Sequence, residues 1–345
     1  MKDGLCNIVG SVILLFIKIL HIAFMKGDFK MQSKGKNNGV VAMGQRSTHI
    51  SSQRMTNNWR REIGESIVEK LLFACAFIAV LSIIVITVFI FYRGLPAISE
   101  IGFRDFVLGK EWKPSGKEYG IFPMIIGSVY STIGAIIIGV PVGVLTAIFL
   151  SEIAPKPIVK ILKPAVELLA GIPSVVYGFF GLTVFVPLIH EYLGGSGNSL
   201  LATSLILGIM ILPTIINISV SSINAVPREY KEGSLALGVS HIQTIFRIIL
   251  PAAKSGILTA VVLGIGRAIG ETMAVVLVSG NSPIIPGALT DKLRTMTGHI
   301  ALEMKYAMGL QEDALFATGV ILFVFIMVIN FILNILIHKA GDVDE

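Results

Sequence analysis

The stretch GIGRAIGETMAV, residues 264–275, places Arg267 and Glu271 four residues apart inside an apolar run that extends from Ile257 to Val278. Apart from those two charges the run reads as a segment built for hydrocarbon. The first matter is therefore whether the solvent of this chain is lipid. The 345 residues are 54% hydrophobic and only 14% charged, with a mean hydropathy of +0.81. Soluble domains carry about 25% charged residues. Several runs of about 20 apolar residues are long enough to cross a roughly 30 Å hydrocarbon layer as helix. The period-two alternation of a membrane barrel strand is absent. The sequence predicts an all-α, polytopic helical membrane protein.

Six spans are expected, at roughly 71–92, 121–150, 165–190, 200–222, 255–280 and 314–337. The second and third contain breakers, Pro141 between Gly139 and Gly143 and Pro173 after Gly171, which kink helices. With the segment before the first span inside, inner loops hold seventeen Lys and Arg and outer loops eight, the asymmetry expected of cytoplasmic loops. Residues 1–62 read as an N-terminal extension and cytoplasmic tail, partly disordered, ahead of a permease-sized domain at 63–340. The apolar stretch 8–24 is interrupted by Lys18 and His21. It reads as a dispensable extension, with a seventh span, an interfacial helix or a leader upstream of Met43 or Met55 as alternatives. Cys6 and Cys75 are expected to be small buried hydrophobes.

In the fifth span, at about 100° per residue, Ala260, Gly264, Gly270, Glu271 and Ala274 cluster around Arg267. Leu258, Val262, Ile265, Ile269 and Val276 lie opposite. Small residues let a second backbone approach, and Gly266 with Gly270 forms a G-x-x-x-G pair. Arg267 falls about 11 residues into the span, roughly 16 Å deep at ~1.5 Å per residue. An unpaired charge there costs roughly 2.5–3.5 kcal/mol, so an i,i+4 ion pair with Glu271 is expected. Apolar replacements would serve stability better, which points to a use beyond the fold. The planar guanidinium suits an oxyanion such as phosphate or sulfate. Arg267 is expected to line an anion path, with Glu271 holding the fork between anions; a purely structural ion pair is the alternative.

The loop 226–251, VPREYKEGSLALGVSHIQTIFRIILP, predicts two short helices. Pro227 suits a first helical position. Glu229 and Glu232 favour the helix N-terminus, and Gly238 suits the stop. Ser240 with Gln243 forms a capping-box pattern for the second helix. The spacing of Glu232, Gly238, Ile248, Leu250 and Pro251 resembles the EAA loop of ABC importer permeases, with the acidic-small-small triplet reading Glu232–Gly233–Ser234 in place of Glu–Ala–Ala. That resemblance implies a type I importer bundle of six core helices whose short loop helix docks on a cytoplasmic ATPase. No G-x-x-x-x-G-K-[ST] stretch occurs in this chain, so a phosphate cradle of that kind is lacking.

The runs GIPSVVYGFFGL (171–182), GRAIGETMAVVLVSGN (266–281) and RTMTGHIALEM (294–304) are similar to the PstC-type permeases of bacterial phosphate importers, over roughly residues 63–338. The resemblance implies a non-enzymatic transport subunit of the bacterial plasma membrane that forms half of a phosphate path. It implies four kinds of partner besides membrane lipid: a homologous PstA-like permease, a PstB-like ATPase dimer, an extracytoplasmic PstS-like phosphate-binding protein, and phosphate itself. ATP–Mg would be used by the partner ATPase, with no cofactor, metal or nucleic acid on this chain. The family's functional Arg and Glu match Arg267 and Glu271. A permease for sulfate or molybdate, or a phosphate-sensing component that does not conduct, are the rival readings. Pro173, Gly178 and Gly181 are candidate hinges. Glu167 reads as a solvated helix-end carboxylate. His190, His241 and His299 have no metal-ligand spacing around them, and Asn281, Lys292 and Arg294 lie in an outer loop that either meets a partner or is a solvated face.

Overall fold

The computed structural model describes residues 51–341, with side-chain surroundings from residue 70 to residue 335. The apolar stretch 8–24 and most of the expected extension lie outside the described residues. Residues 51–62 are helical, the first turns of α1 (Ser51–Ile101). The chain divides into two units after Ile90. In the first, the apolar side chains of α1, among them Leu72, Phe73 and Phe77, are exposed. Cys75, expected to be buried, is free and exposed there. A helix whose solvent is hydrocarbon does not need protein to cover it.

The second unit begins with the last turns of α1 and α2 (Phe103–Leu108). A small hairpin follows, β1 (Trp112–Lys113) pairing antiparallel with β2 (Glu118–Tyr119) so that Trp112 faces Tyr119. Then come α3 (Phe122–Ile148), closed by a π-helical turn Phe149–Ile153, and α4 (Lys156–Gly171). Next, α5 (Ser174–Phe180) continues through a π turn, Gly181–Phe185, into α6 (Val186–Leu193). After α7 (Leu200–Asn224) and α8 (Arg228–Ala236), a helical run joins α9 (His241–Thr244), a π turn at Ile245–Ile249 and α10 (Leu250–Ala252). The remainder is α11 (Lys254–Gly270), α12 (Met273–Val278), α13 (Met296–Glu303) and α14 (Leu310–Gly341).

Five helical stretches are long and apolar enough to cross a membrane, and a sixth results when the run His241–Ala252 and α11, bent by 70° at Ala253, count as one span. Two expected spans differ from their prediction. The third covers Ser174–Leu193 rather than 165–190. Ile172 and Pro173 are extended, so Pro173 precedes a new helix instead of kinking an old one. Residues 156–171 form a separate helix in which Val166 alone is buried. The fifth span does not run unbroken to 280: α11 stops at Gly270 and Glu271 is extended.

The core centres on α7. Ser199 caps its start by accepting the amide of Ala202, and its side chains are covered by α3 on one side and α11 on another. Glycines on α3 make that contact possible. A Cβ on Gly134 would lie 2.2 Å from the Ser204 hydroxyl, and one on Gly143 would lie 2.8 Å from Ile215. Near the end of α1, Arg93 pairs with Glu312 and Asp313 at the start of α14, where acidic groups complement the helix dipole.

Candidate translocation site and coupling loop

Arg267 stands in the last turn of α11, 13 residues from Lys254, or about 20 Å along the helix. A cation there faces the helix's own terminal carbonyls, which favours it. Its Nη1 donates to the hydroxyl of Thr214 on α7 at 3.1 Å. The expected i,i+4 ion pair with Glu271 is not made, and the break explains why. The helical register ends at Gly270, and Glu271 (φ −71°, ψ 132°) turns its carboxylate forward. Its Oε1 accepts the amide of Ala274 at 3.0 Å, satisfying a free N–H at the start of α12. Its backbone carbonyl accepts the hydroxyl of Thr297 on α13 at 2.9 Å. Among the described residues neither charge belongs to an ion pair. Arg267 thus has one neutral partner and an uncompensated charge.

The faces of α11 also differ from the wheel. Ala260, Gly264, Ile265, Ala268 and Ile269 are the buried positions, so the two isoleucines expected opposite the small residues share the packed side with them. Gly264 lies against Ile215 and Ile211. Thr259, Leu263 and Gly270 are exposed, Gly266 is half-buried, and a Cβ on Gly266 or Gly270 would meet nothing within 4 Å. Arg267, half-buried, stands at the border between the packed and uncovered sides. Across the break, Gly178 of α5 packs on Ala274, where a Cβ would come within 2.7 Å of the Ala274 Cα. Of the three hinge candidates, Pro173 sits at a break between helices, and Gly178 and Gly181 sit in tight contacts.

Loop 226–251 is built as the local pattern predicts. Pro227 precedes α8 at its cap, one position before the first helical residue. Gly238 adopts φ +79° past the end of α8, a conformation that only glycine takes without strain. The Ser240–Gln243 capping box is present in both directions. Ser234 and Thr244 share a buried hydrogen bond of 2.9 Å that clamps α8 to α9. Glu232 and Gly238 are exposed, as are Tyr230, Leu235 and Leu237, the last at 86%. Ile248 and Leu250 are only partly buried; the anchors beneath the loop are Ile245 and Ile249, packed with Ile148, Ile223 and Ala253.

Residues 139–340, more than half of the chain and including both the break and the loop, match the family described as binding-protein-dependent transport system inner membrane component. The chain belongs to that family. Its relatives include a probable ABC transporter permease protein, YqgH, of Bacillus subtilis, 38% identical over 82% of this chain and 95% of that one. The phosphate transport system permease protein PstC of Pasteurella multocida is 35% identical over 70% of this chain and 81% of its own. PstC of Haemophilus influenzae is 34% identical over 68% and 81%. Among solved structures, the MetNI methionine ABC transporter in an inward-facing conformation aligns over 64% of this chain and 94% of its own, at 19% identity and a TM-score of 0.49. The chain is a multi-pass permease of the bacterial plasma membrane, and its relatives are transport subunits rather than enzymes.

Several residues of the permease escaped the sequence reading. Thr214 follows Pro213 in an apolar helix, with nothing local to mark it as the partner of Arg267. Glu152 reads as an ordinary loop carboxylate, yet its side chain is only 10% exposed and pairs with Lys231 of α8. Arg294, read as an outer-loop residue, is 14% exposed. It donates to Glu303 at 2.9 Å, to the Asn281 carbonyl at 2.8 Å, and lies 3.3 Å from His299 Nδ1. His299 is fully buried edge-on to Trp112. Burial first, and the neighbouring Arg294 second, push its pKa down to about 3, so the ring is neutral. This network braces the start of α13, whose Thr297 holds the broken span.

Proposed function

We propose that this permease forms half of the path for inorganic phosphate in an ATP-driven importer, and that Arg267 is the residue the anion passes. The observation that carries the reading is the state of Arg267: a fixed cation at a helix break, beside an uncovered glycine face, held among the described residues only by a neutral hydroxyl. A hydroxyl competes weakly with a dianion for a guanidinium, because charge-assisted pairs are roughly twice as strong as neutral ones. Glu271 shapes the site by starting α12, and its negative charge limits how tightly an anion rests there. The names of the PstC relatives support phosphate as the anion. The uncovered face with Gly266 and Gly270 suits a homologous permease, and loop 226–251 suits an ATPase dimer that uses ATP–Mg, with Glu232, Gly238 and exposed Leu237 at its surface. An extracytoplasmic phosphate-binding protein delivers the anion. Pro173 and Gly178 are where α5 would bend against α12.

The test is ATP-dependent phosphate uptake by vesicles carrying the full complex, wild type against Arg267→Gln, with assembly checked by blot. Uptake collapses in the variant while the complex remains intact. Undiminished uptake would remove Arg267 from the path. Suppression of wild-type phosphate uptake by equal sulfate or molybdate would reassign the substrate.

A further inference from the structure

We propose that Glu152 is a positioning residue for transport: it fastens the coupling helix α8 to α3, a span to which α8 has no sequence connection. Glu152 lies in the π turn Phe149–Ile153 that closes α3, and such turns often mark functional sites. Its Oε2 receives Lys231 Nζ of α8 at 2.5 Å, and His241 Nε2, at the start of α9, lies 3.9 Å from the same oxygen. One nearly buried carboxylate therefore faces both helices of the loop, with Lys231 79 residues away in sequence.

The rest of the contact explains why this tie transmits force. Ile148, one helical turn before Glu152, is buried with Ile245 and Ile249 beneath the loop. The Ser234–Thr244 bond makes α8 and α9 one body. A displacement of α8 thus reaches α7 and α11 through the chain, and reaches α3 through the apolar cluster and the Glu152–Lys231 pair. The cluster resists compression but is non-directional; the ion pair opposes sliding and withdrawal. The carboxylate is nearly enclosed and Lys231 is its paired cation, so removing either partner leaves the other uncompensated. The argument rests on the reading that loop 226–251 couples to an ATPase.

The experiment uses the complete complex with its ATPase and binding protein in proteoliposomes, and reads phosphate taken up per ATP hydrolysed. Glu152→Gln and Lys231→Gln are each expected to lower that ratio about tenfold or more while hydrolysis stays within about twofold, and the exchange Glu152→Lys with Lys231→Glu to recover most of it. Lys231 is half-exposed on a surface helix, so its variant reports even where Glu152→Gln assembles poorly. An unchanged ratio in Lys231→Gln overturns the proposal, as does an assembled exchange variant that stays uncoupled. If the wild-type complex hydrolyses ATP without moving phosphate, the functional reading fails instead.

Discussion

Acidification should destabilise this permease through a single buried imidazole. His299 is fully buried, its pKa is lowered from 6.5 to about 3, and burial is the main cause. In the unfolded chain the ring takes a proton near pH 6.5; in the folded protein it stays neutral far below that. Stability from the neutral ring is therefore complete above pH 6.5 and is lost as pH falls toward 3. At about pH 5 the gap is some 1.5 pH units below the unfolded value, worth about 2 kcal/mol at ~1.4 kcal/mol per unit. The result does not depend on where below pH 5 the folded value lies. For a chain of 345 residues, at ~2.1 cal/mol/K per residue, 2 kcal/mol corresponds to a shift of about 3 °C in midpoint. The assay is thermal unfolding of the detergent-purified complex near pH 7.5 and near pH 5, for wild type and His299→Gln, which retains an acceptor for Arg294. Wild type should lose about 3 °C more than the variant between the two conditions, by the same scaling. Equal losses in both would refute the reasoning, since every other titrating group is common to the pair.

Three further outcomes follow from the packing of the bundle and the shape of the break. Gly134→Val should lower the stability of the assembled permease by about 1–3 kcal/mol, because any Cβ there strikes the Ser204 side chain on the central helix. Gly270→Ala, on the uncovered face of α11, should leave the folding of this chain within ~0.5 kcal/mol of wild type; unfolding midpoints of the two variants check both. Glu271→Gln keeps an oxygen for the Ala274 amide while removing a negative charge beside the proposed anion path. Phosphate uptake should then show a lower KM together with a lower turnover, as release slows; an unchanged KM would place the Glu271 charge off the path.

The membrane class, the number of spans and the construction of loop 226–251 were legible in the sequence, because each rests on short-range physics. Span length follows from runs of apolar residues, and the stop at Gly238 and the box at Ser240–Gln243 are settled within six residues of chain. Arg267 was conspicuous for the same reason: a charge in an apolar run is visible without knowing what surrounds it. Its partner was not. The apolar character of residues 257–278 continues on both sides of the break, so hydropathy and helical period pass across it without a signal. Only the tertiary structure turns Glu271 out of register, because Thr297, 26 residues on, holds its carbonyl while its carboxylate starts α12. Thr214 meets Arg267 from 53 residues away, and Lys231 meets Glu152 from 79. Sequence alone determined where charge enters the bilayer and where the chain folds back. Which groups answer that charge was decided by helix packing, since contacts between distant segments leave no periodic trace in either segment.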